Sequence, residues 1–153
     1  MGKEIERKFL VKNQDYKKYA KRRIDICQTY LSVSPDTVVR LRLAGESAYL
    51  TIKSRTRGCE RGEWEYPIPL DDAREMMQVC SCSPVISKTR YIVGRWEIDE
   101  FHESLEGLTV AEIELSNSDE EFELPDFIGR EVTGDPRYYN SVLSADAKLP
   151  PTQ

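Results

Sequence analysis

Six segments of this chain alternate uncharged and charged residues with a period of two, and in each the charges carry one sign. Val39, Leu41 and Leu43 alternate with Arg40 and Arg42; Leu50 and Ile52 alternate with Thr51, Lys53 and then Arg55; Thr89 and Tyr91 alternate with Lys88 and Arg90. On the acidic side, Trp64 and Tyr66 alternate with Glu63 and Glu65, Trp96 and Ile98 with Glu97 and Asp99, and Ala111, Ile113 and Leu115 with Glu112 and Glu114. A period of two is the spacing at which side chains share one face of a β-strand. The pattern therefore demands strands with one apolar and one charged face. An antiparallel sheet with one solvated face shows the same alternation, and any single segment is explained that way. The set is harder to explain so, because like charges two apart repel and a merely solvated face usually mixes Thr, Ser, Lys and Glu.

A seventh segment, Glu4-Ile5-Glu6-Arg7-Lys8, runs on into Phe9-Leu10-Val11 and places Glu4, Glu6 and Lys8 on one face. Two carboxylates can hold a hard divalent cation, and a lysine beside them can hold a phosphate oxygen. Strand-like runs bounded by turn residues cover 4–11, 25–32, 37–44, 47–54, 63–68, 86–93, 95–101 and 109–116. Gly45 and Gly94 mark hairpins. Three connections read as helical: 14–22, 71–79 with Asp71 and Asp72 at its start, and a C-terminal helix capped by Asp135, opened by Pro136 and running towards Ala147. The expected class is mainly β (α+β), an eight-stranded antiparallel sheet closed into a barrel with a few flanking helices.

The chain has 153 residues, 32% charged and 39% hydrophobic, with a formal net charge of −5. That length fits a single domain over 1–153. The acidic balance argues against a nucleic-acid binder. No apolar run approaches the roughly 18 residues of a membrane span, and the first residues do not read as a signal peptide. Cys27, Cys59, Cys80 and Cys82 lack zinc-ribbon or thioredoxin spacing, and His102 is the one histidine. Free thiols and a cytoplasmic setting are expected, with His102 a surface residue; a homodimer is left open.

A closed barrel turns one of its two faces into the lumen, and periodicity does not say which. An apolar lumen, lined by Leu41, Ile52, Trp64 and Ile113, would be a lipocalin-like barrel. A lumen of both signs would be a costly place for isolated charges. It is tenable if a ligand supplies anions and a metal supplies cations, as a triphosphate with Mg²⁺ or Mn²⁺ does.

The segments Glu4-Ile5-Glu6-Arg7-Lys8-Phe9-Leu10, Gln28-Thr29-Tyr30-Leu31, Val39-Arg40-Leu41-Arg42, Leu50-Thr51-Ile52-Lys53, Glu63-Trp64-Glu65, Lys88-Thr89-Arg90-Tyr91, Trp96-Glu97-Ile98-Asp99 and Ala111-Glu112-Ile113-Glu114-Leu115 occur in that order. The set resembles the CYTH superfamily, the triphosphate tunnel metalloenzymes, with 129–140 similar to the tail of its short bacterial members. The resemblance implies a charged-lumen tunnel and divalent-metal-dependent chemistry on a small-molecule triphosphate. It implies Glu4, Glu6, Glu112 and Glu114 as metal ligands, with Glu63, Glu65 and Asp99 as further groups. It implies Arg40, Arg42, Lys53, Lys88 and Arg90 as phosphate ligands, and Lys8 with Tyr30 as the pair that orients water. Arg55 and Arg57 sit equally well at a solvated strand end. The connection 80–84 matches nothing in the family pattern. Hydrolysis of inorganic tripolyphosphate is the favoured expectation. The competing ones are a class IV adenylate cyclase, a thiamine triphosphatase, and a non-catalytic polyphosphate- or nucleotide-binding barrel.

Overall fold

The computed structural model describes residues 2–152; Met1 and Gln153, the ends of the expected domain, lie outside the described residues. Eight strands close a barrel: β1 (Lys3–Val11), β2 (Arg22–Val33), β3 (Thr37–Ala44), β4 (Ser47–Ser54), β5 (Glu60–Ile68), β6 (Ile86–Val93), β7 (Trp96–Phe101) and β8 (Thr109–Glu114). The order around the wall is β5-β4-β3-β2-β6-β7-β8-β1, and β1 pairs back to β5. Every named pairing is antiparallel. The hairpins β3–β4 and β6–β7 each turn on a glycine at the first of two loop residues, Gly45 at φ 59° and Gly94 at φ 58°. Positive φ there is what a II′ hairpin requires.

β1 closes the barrel by changing neighbours. One edge pairs with β8 over Glu6–Leu10; the other pairs with β5 at Lys3–Ile5 and, further on, with a ninth strand, β9 (Ile128–Glu131). β9 was not expected as a strand. Its four residues are too short to show a period, and it exists because it satisfies the β1 edge that β5 leaves uncovered.

The apolar faces point outward and are roofed. Phe9, Trp96, Ile98, Ala111 and Ile113 lie under Tyr16 and Phe127. Leu41 and Ala48 lie under Ala73 of α2 (Leu70–Val79), flanked by Met76 and Met77. Leu10, Phe101 and Val110 instead share the inward parity of Lys8, Asp99 and Glu112, and with Leu105, Leu108, Tyr138 and Leu143 they form an apolar plug at one end of the barrel. The apolar-lumen alternative is thereby overturned: Leu41 and Ile113 are buried beneath outer cover, and Trp64, paired with Ile52, is 39% exposed on the outside.

Two helices differ from expectation. The 14–22 helix is one turn, α1 (Tyr16–Tyr19), because β2 begins at Arg22, where Arg22 and Arg23 pair with Ile92 and Tyr91 of β6. The Asp135 carboxylate does cap, but it accepts from the Arg137 amide of a short 3₁₀ turn, Pro136–Tyr138. Tyr139 is extended, and the C-terminal helix α3 (Asn140–Asp146) starts after it. No helix among the described residues is long and apolar enough to cross a membrane.

Candidate active site in the barrel lumen

Because β-register places paired residues on one face, the inward set follows from the pairings. Gln28 faces Arg42 and Tyr30 faces Arg40; Lys53 faces Glu63; Arg90 faces Asp99; Glu97 faces Glu112; Lys8 faces Glu112 and Glu6 faces Glu114. Within this inward set, Glu4, Glu6, Tyr30, Arg40, Arg42, Lys53, Arg90, Glu112 and Glu114 line a cavity of about 170 Å³. Glu63, Glu65 and Glu97 lie towards the more open part, the first with its side chain 26% exposed. A smaller cavity of about 50 Å³ shares Glu4, Glu6 and Tyr30 and adds Lys8. The structure thus brings Lys8 and Tyr30 to one cavity wall.

The charges are interlocked. Lys53 Nζ sits 3.2 Å from Glu4 and 3.1 Å from Glu63. Arg40 reaches Glu65 at 3.3 Å and Thr51 at 3.2 Å. Arg90 grips Asp99 with two bonds of 2.8 and 2.9 Å and touches Glu97 at 3.1 Å. Lys8 lies 3.7 Å from Glu112 and donates to the Tyr138 carbonyl at 3.1 Å. Two expected site residues stand behind the lining. Lys88 and Asp99 are paired at 2.6 Å with side chains 0% and 2% exposed, and neither lines the cavity. Asp99 therefore holds Arg90 and Lys88 from beneath. Arg55 is at the solvated end, bound to Asp36 at 2.7 Å.

The electrostatics follow from this crowding. Burial raises the Glu4 pKa, but Lys53, a hydrogen bond from Glu63 and Arg61 outweigh it and bring it to about 2. Burial, then Glu112 and Glu4, push Glu6 up to about 8. Burial, with Glu4 and Glu97 nearby, raises Glu114. Burial lowers Lys8, yet Glu112 and Glu6 reverse the effect and hold it above the ordinary lysine value. Burial, opposed by Asp99 and aided by Arg90, pulls Lys88 down to about 7.

The donor set suits a hard divalent cation. Glu6 and Glu114 are directly opposed across β1 and β8, and among the described residues neither makes an ion pair. Opposed like charges are destabilising in a sheet unless a cation lies between them. Among the described residues no three His, Cys, Asp or Glu side chains are gathered as a ready-made ligand group; Glu4 is turned to Lys53 and Arg61, and Glu112 to Lys8. On the cationic side, Arg40 Nε is buried with no hydrogen-bond partner among the described residues. A buried unpaired guanidinium N–H is costly and calls for an acceptor.

Sequence reasoning missed Arg61, which continues the inward parity of Glu63 and Glu65 and pairs with Glu4 at 3.4 Å. It also gave no role to Gln28, fully buried and holding Arg42 at 3.0 and 2.8 Å, or to Asn140. Parity with Tyr30 could have found Gln28. The unmatched stretch 80–84 has a clear place: the Cys82 amide donates to the Tyr30 carbonyl at 2.8 Å, and Ser83 accepts from the Tyr30 amide at 3.3 Å. It extends the edge of β2 and fixes the backbone that carries Tyr30.

The CYTH domain family matches residues 2–139. An inorganic triphosphatase of Acetivibrio thermocellus is 46% identical over 147 residues, covering 94% of each chain. An inorganic triphosphatase of Nitrosomonas europaea is 34% identical over 151 residues, covering 92% of this chain and 96% of its own. A crystal structure of an inorganic triphosphatase, 31% identical, superposes with a TM-score of 0.64 over 92% of this chain and 96% of that one. With the inward charges, the closed barrel and these likenesses together, the chain belongs to the CYTH domain family.

Proposed function

We propose that this protein hydrolyses inorganic tripolyphosphate to pyrophosphate and orthophosphate, with Mg²⁺ or Mn²⁺ on its carboxylate wall. The observation that carries this reading is the divided lumen. Arg40 holds a buried N–H with no acceptor among the described residues, while two carboxylates, Glu6 and Glu114, face each other across β1 and β8. A metal-bound polyphosphate answers both needs. Its chemistry also matches that of the relatives named as inorganic triphosphatases.

Arg40, Arg42, Lys53 and Arg90 hold the phosphate oxygens, the guanidinium forks giving direction as well as charge. Glu4, Glu6, Glu112 and Glu114 would hold the cation, which when bound neutralises phosphate charge and polarises a phosphoryl oxygen. Lys8 keeps its proton, since its pKa stays above the ordinary value. It therefore acts as a positive donor and not as a base. With Tyr30 it orients a water in line with the terminal phosphorus. The water oxygen bonds to phosphorus as the bridging P–O bond breaks; pyrophosphate leaves with the electron pair, one water proton stays on the orthophosphate and the other passes to the pyrophosphate oxygen or to solvent. Positioning and charge are most of what such a transfer needs. All four cysteines are free, which supports a reducing, cytoplasmic setting.

Phosphate release from tripolyphosphate, ATP and thiamine triphosphate, with and without each metal, tests the reading. Metal-dependent release from tripolyphosphate above the others is expected. Cyclic AMP from ATP, or binding without turnover, would overturn it. Tyr30 is the one aromatic side chain on the main cavity wall among the described residues, which favours the inorganic substrate over a nucleotide or thiamine ester.

A further inference from the structure

Asn140, the first residue of α3, reaches back into the barrel from the C-terminal segment. Its Oδ1 accepts from two donors on different strands, Lys88 Nζ at 3.2 Å and Gln28 Nε2 at 3.3 Å. Both partners donate here, so the acceptor end of the Asn140 amide is fixed by chemistry. Gln28 is fixed in turn. Its Nε2 donates to Asn140, which leaves Oε1 to accept from Arg42 Nε and Nη2 at 3.0 and 2.8 Å. On the other branch, Lys88 binds Asp99 at 2.6 Å, and Asp99 holds both forks of Arg90.

We infer that Asn140 is a positioning residue for the substrate-binding arginines, acting on Arg42 through Gln28 and bracing Arg90 through Lys88 and Asp99. The inference rests on the triphosphate reading of the lumen, since it supposes that Arg42 and Arg90 face phosphate oxygens. The physical case is one of orientation. Gln28 is fully buried, and a buried amide free to flip would present Nε2 to Arg42, a donor against a donor. Asn140 removes that alternative. A guanidinium held in one orientation loses less entropy when it binds an oxyanion, so the substrate is bound more tightly for the same contacts. The fold commits the residue to this place. Tyr138 and Leu143 are buried in the C-terminal core, and Ser144 bonds to the Pro84 carbonyl at 2.6 Å and to Ser83 at 2.9 Å. The C-terminal segment thus completes the site from across the mouth.

The test compares wild type, Asn140→Ala, Asn140→Asp and Gln28→Met, by two measurements. The first is the side-chain Nε–H signals of Arg42 and Arg90 in ¹⁵N–¹H spectra of the protein without substrate or metal, assigned by Arg→Lys variants. Asn140→Ala is expected to shift or broaden the Arg42 signal strongly and the Arg90 signal more weakly. Asn140→Asp, whose carboxylate still accepts from both donors, should restore both. Should Asn140→Ala not fold, Gln28→Met cuts the same chain one link on, and must move Arg42 while leaving Arg90 in place. The second measurement is steady-state turnover of tripolyphosphate with Mg²⁺, in which Asn140→Ala should raise KM about tenfold with kcat changed less than about threefold. An Arg42 signal unmoved in a folded Asn140→Ala, or an unchanged KM there, overturns the inference, as does an Arg42 signal unmoved in Gln28→Met. The spectra need no substrate. If wild type fails to cleave tripolyphosphate, the functional reading falls while the spectra still decide whether Asn140 orients the arginines.

Discussion

Glu6 and Lys8, two residues apart on one strand, differ in what the lumen asks of them. Glu6 stands opposite Glu114 with no ion pair among the described residues, whereas Lys8 is bracketed by Glu112 and the Tyr138 carbonyl. Burial, with Glu112 and Glu4 nearby, holds the Glu6 pKa up at about 8, so folding costs stability at neutral pH, where the unfolded carboxyl would be ionised; a neutral Gln avoids that cost. Without metal, Glu6→Gln is expected to stabilise the protein by about 0.5–1 kcal/mol, a Tm rise of roughly 1–4 °C, while activity is lost. Thermal melts in chelator at neutral pH and phosphate-release assays check both halves, and a lowered Tm would show that the buried Glu6 carboxyl does not cost stability. Lys8→Ala should lower kcat more than it raises KM, because its charge acts where the water and the terminal phosphorus meet. A pure KM effect in steady-state kinetics would make Lys8 a binding residue alone. Both residues were legible in the sequence through parity. Lys88 and Asp99 share that parity but lie behind the lining, since distance from the cavity depends on how strands tilt around a barrel, not on alternation.

At the scale of elements, the strands were read well because each carries its own period, and β3, β4 and β6 begin and end where the alternation does. The irregular pieces were not. β9 and the 80–84 connection owe their form to an edge offered by another strand, and the one-turn α1 to β2 starting early. The helix α2 roofs the outer face of β3 and β4, with Ala73 fully buried over Leu41. Leu41 neighbours Arg40 and Arg42 in sequence but points the opposite way. Leu41→Ala should therefore cost about 2–5 kcal/mol by denaturant titration. It should leave KM for tripolyphosphate within about threefold if strand β3 keeps its register. A large KM change with little loss of stability would mean that the outer cover and the lumen are coupled.

For the whole molecule, closure turns seven charged strand faces into one site with a basic arc and an acidic arc. A cation that binds only the folded lumen stabilises it by mass action, about 2.7 kcal/mol at a hundredfold excess over Kd. Mg²⁺ or Mn²⁺ should thus raise Tm in wild type, and Glu114→Gln should abolish both that rise and the activity without losing the fold. A metal-dependent Tm rise in Glu114→Gln equal to that of wild type would move the cation site elsewhere. The sequence by itself determined that the chain is built of alternating strands and that their charges are sorted by sign, because a period of two is a property of each strand alone. It also named most of the inward set. Only the tertiary structure decided that the charged face is the inner one, since alternation is symmetric between faces and the roofing of Leu41 and Ile113 breaks the tie. The tertiary structure likewise set which charges meet the cavity and which brace them. It also brought Asn140 to Gln28 across 112 positions, because those contacts arise from closure of the barrel and the path of the C-terminal segment over its mouth.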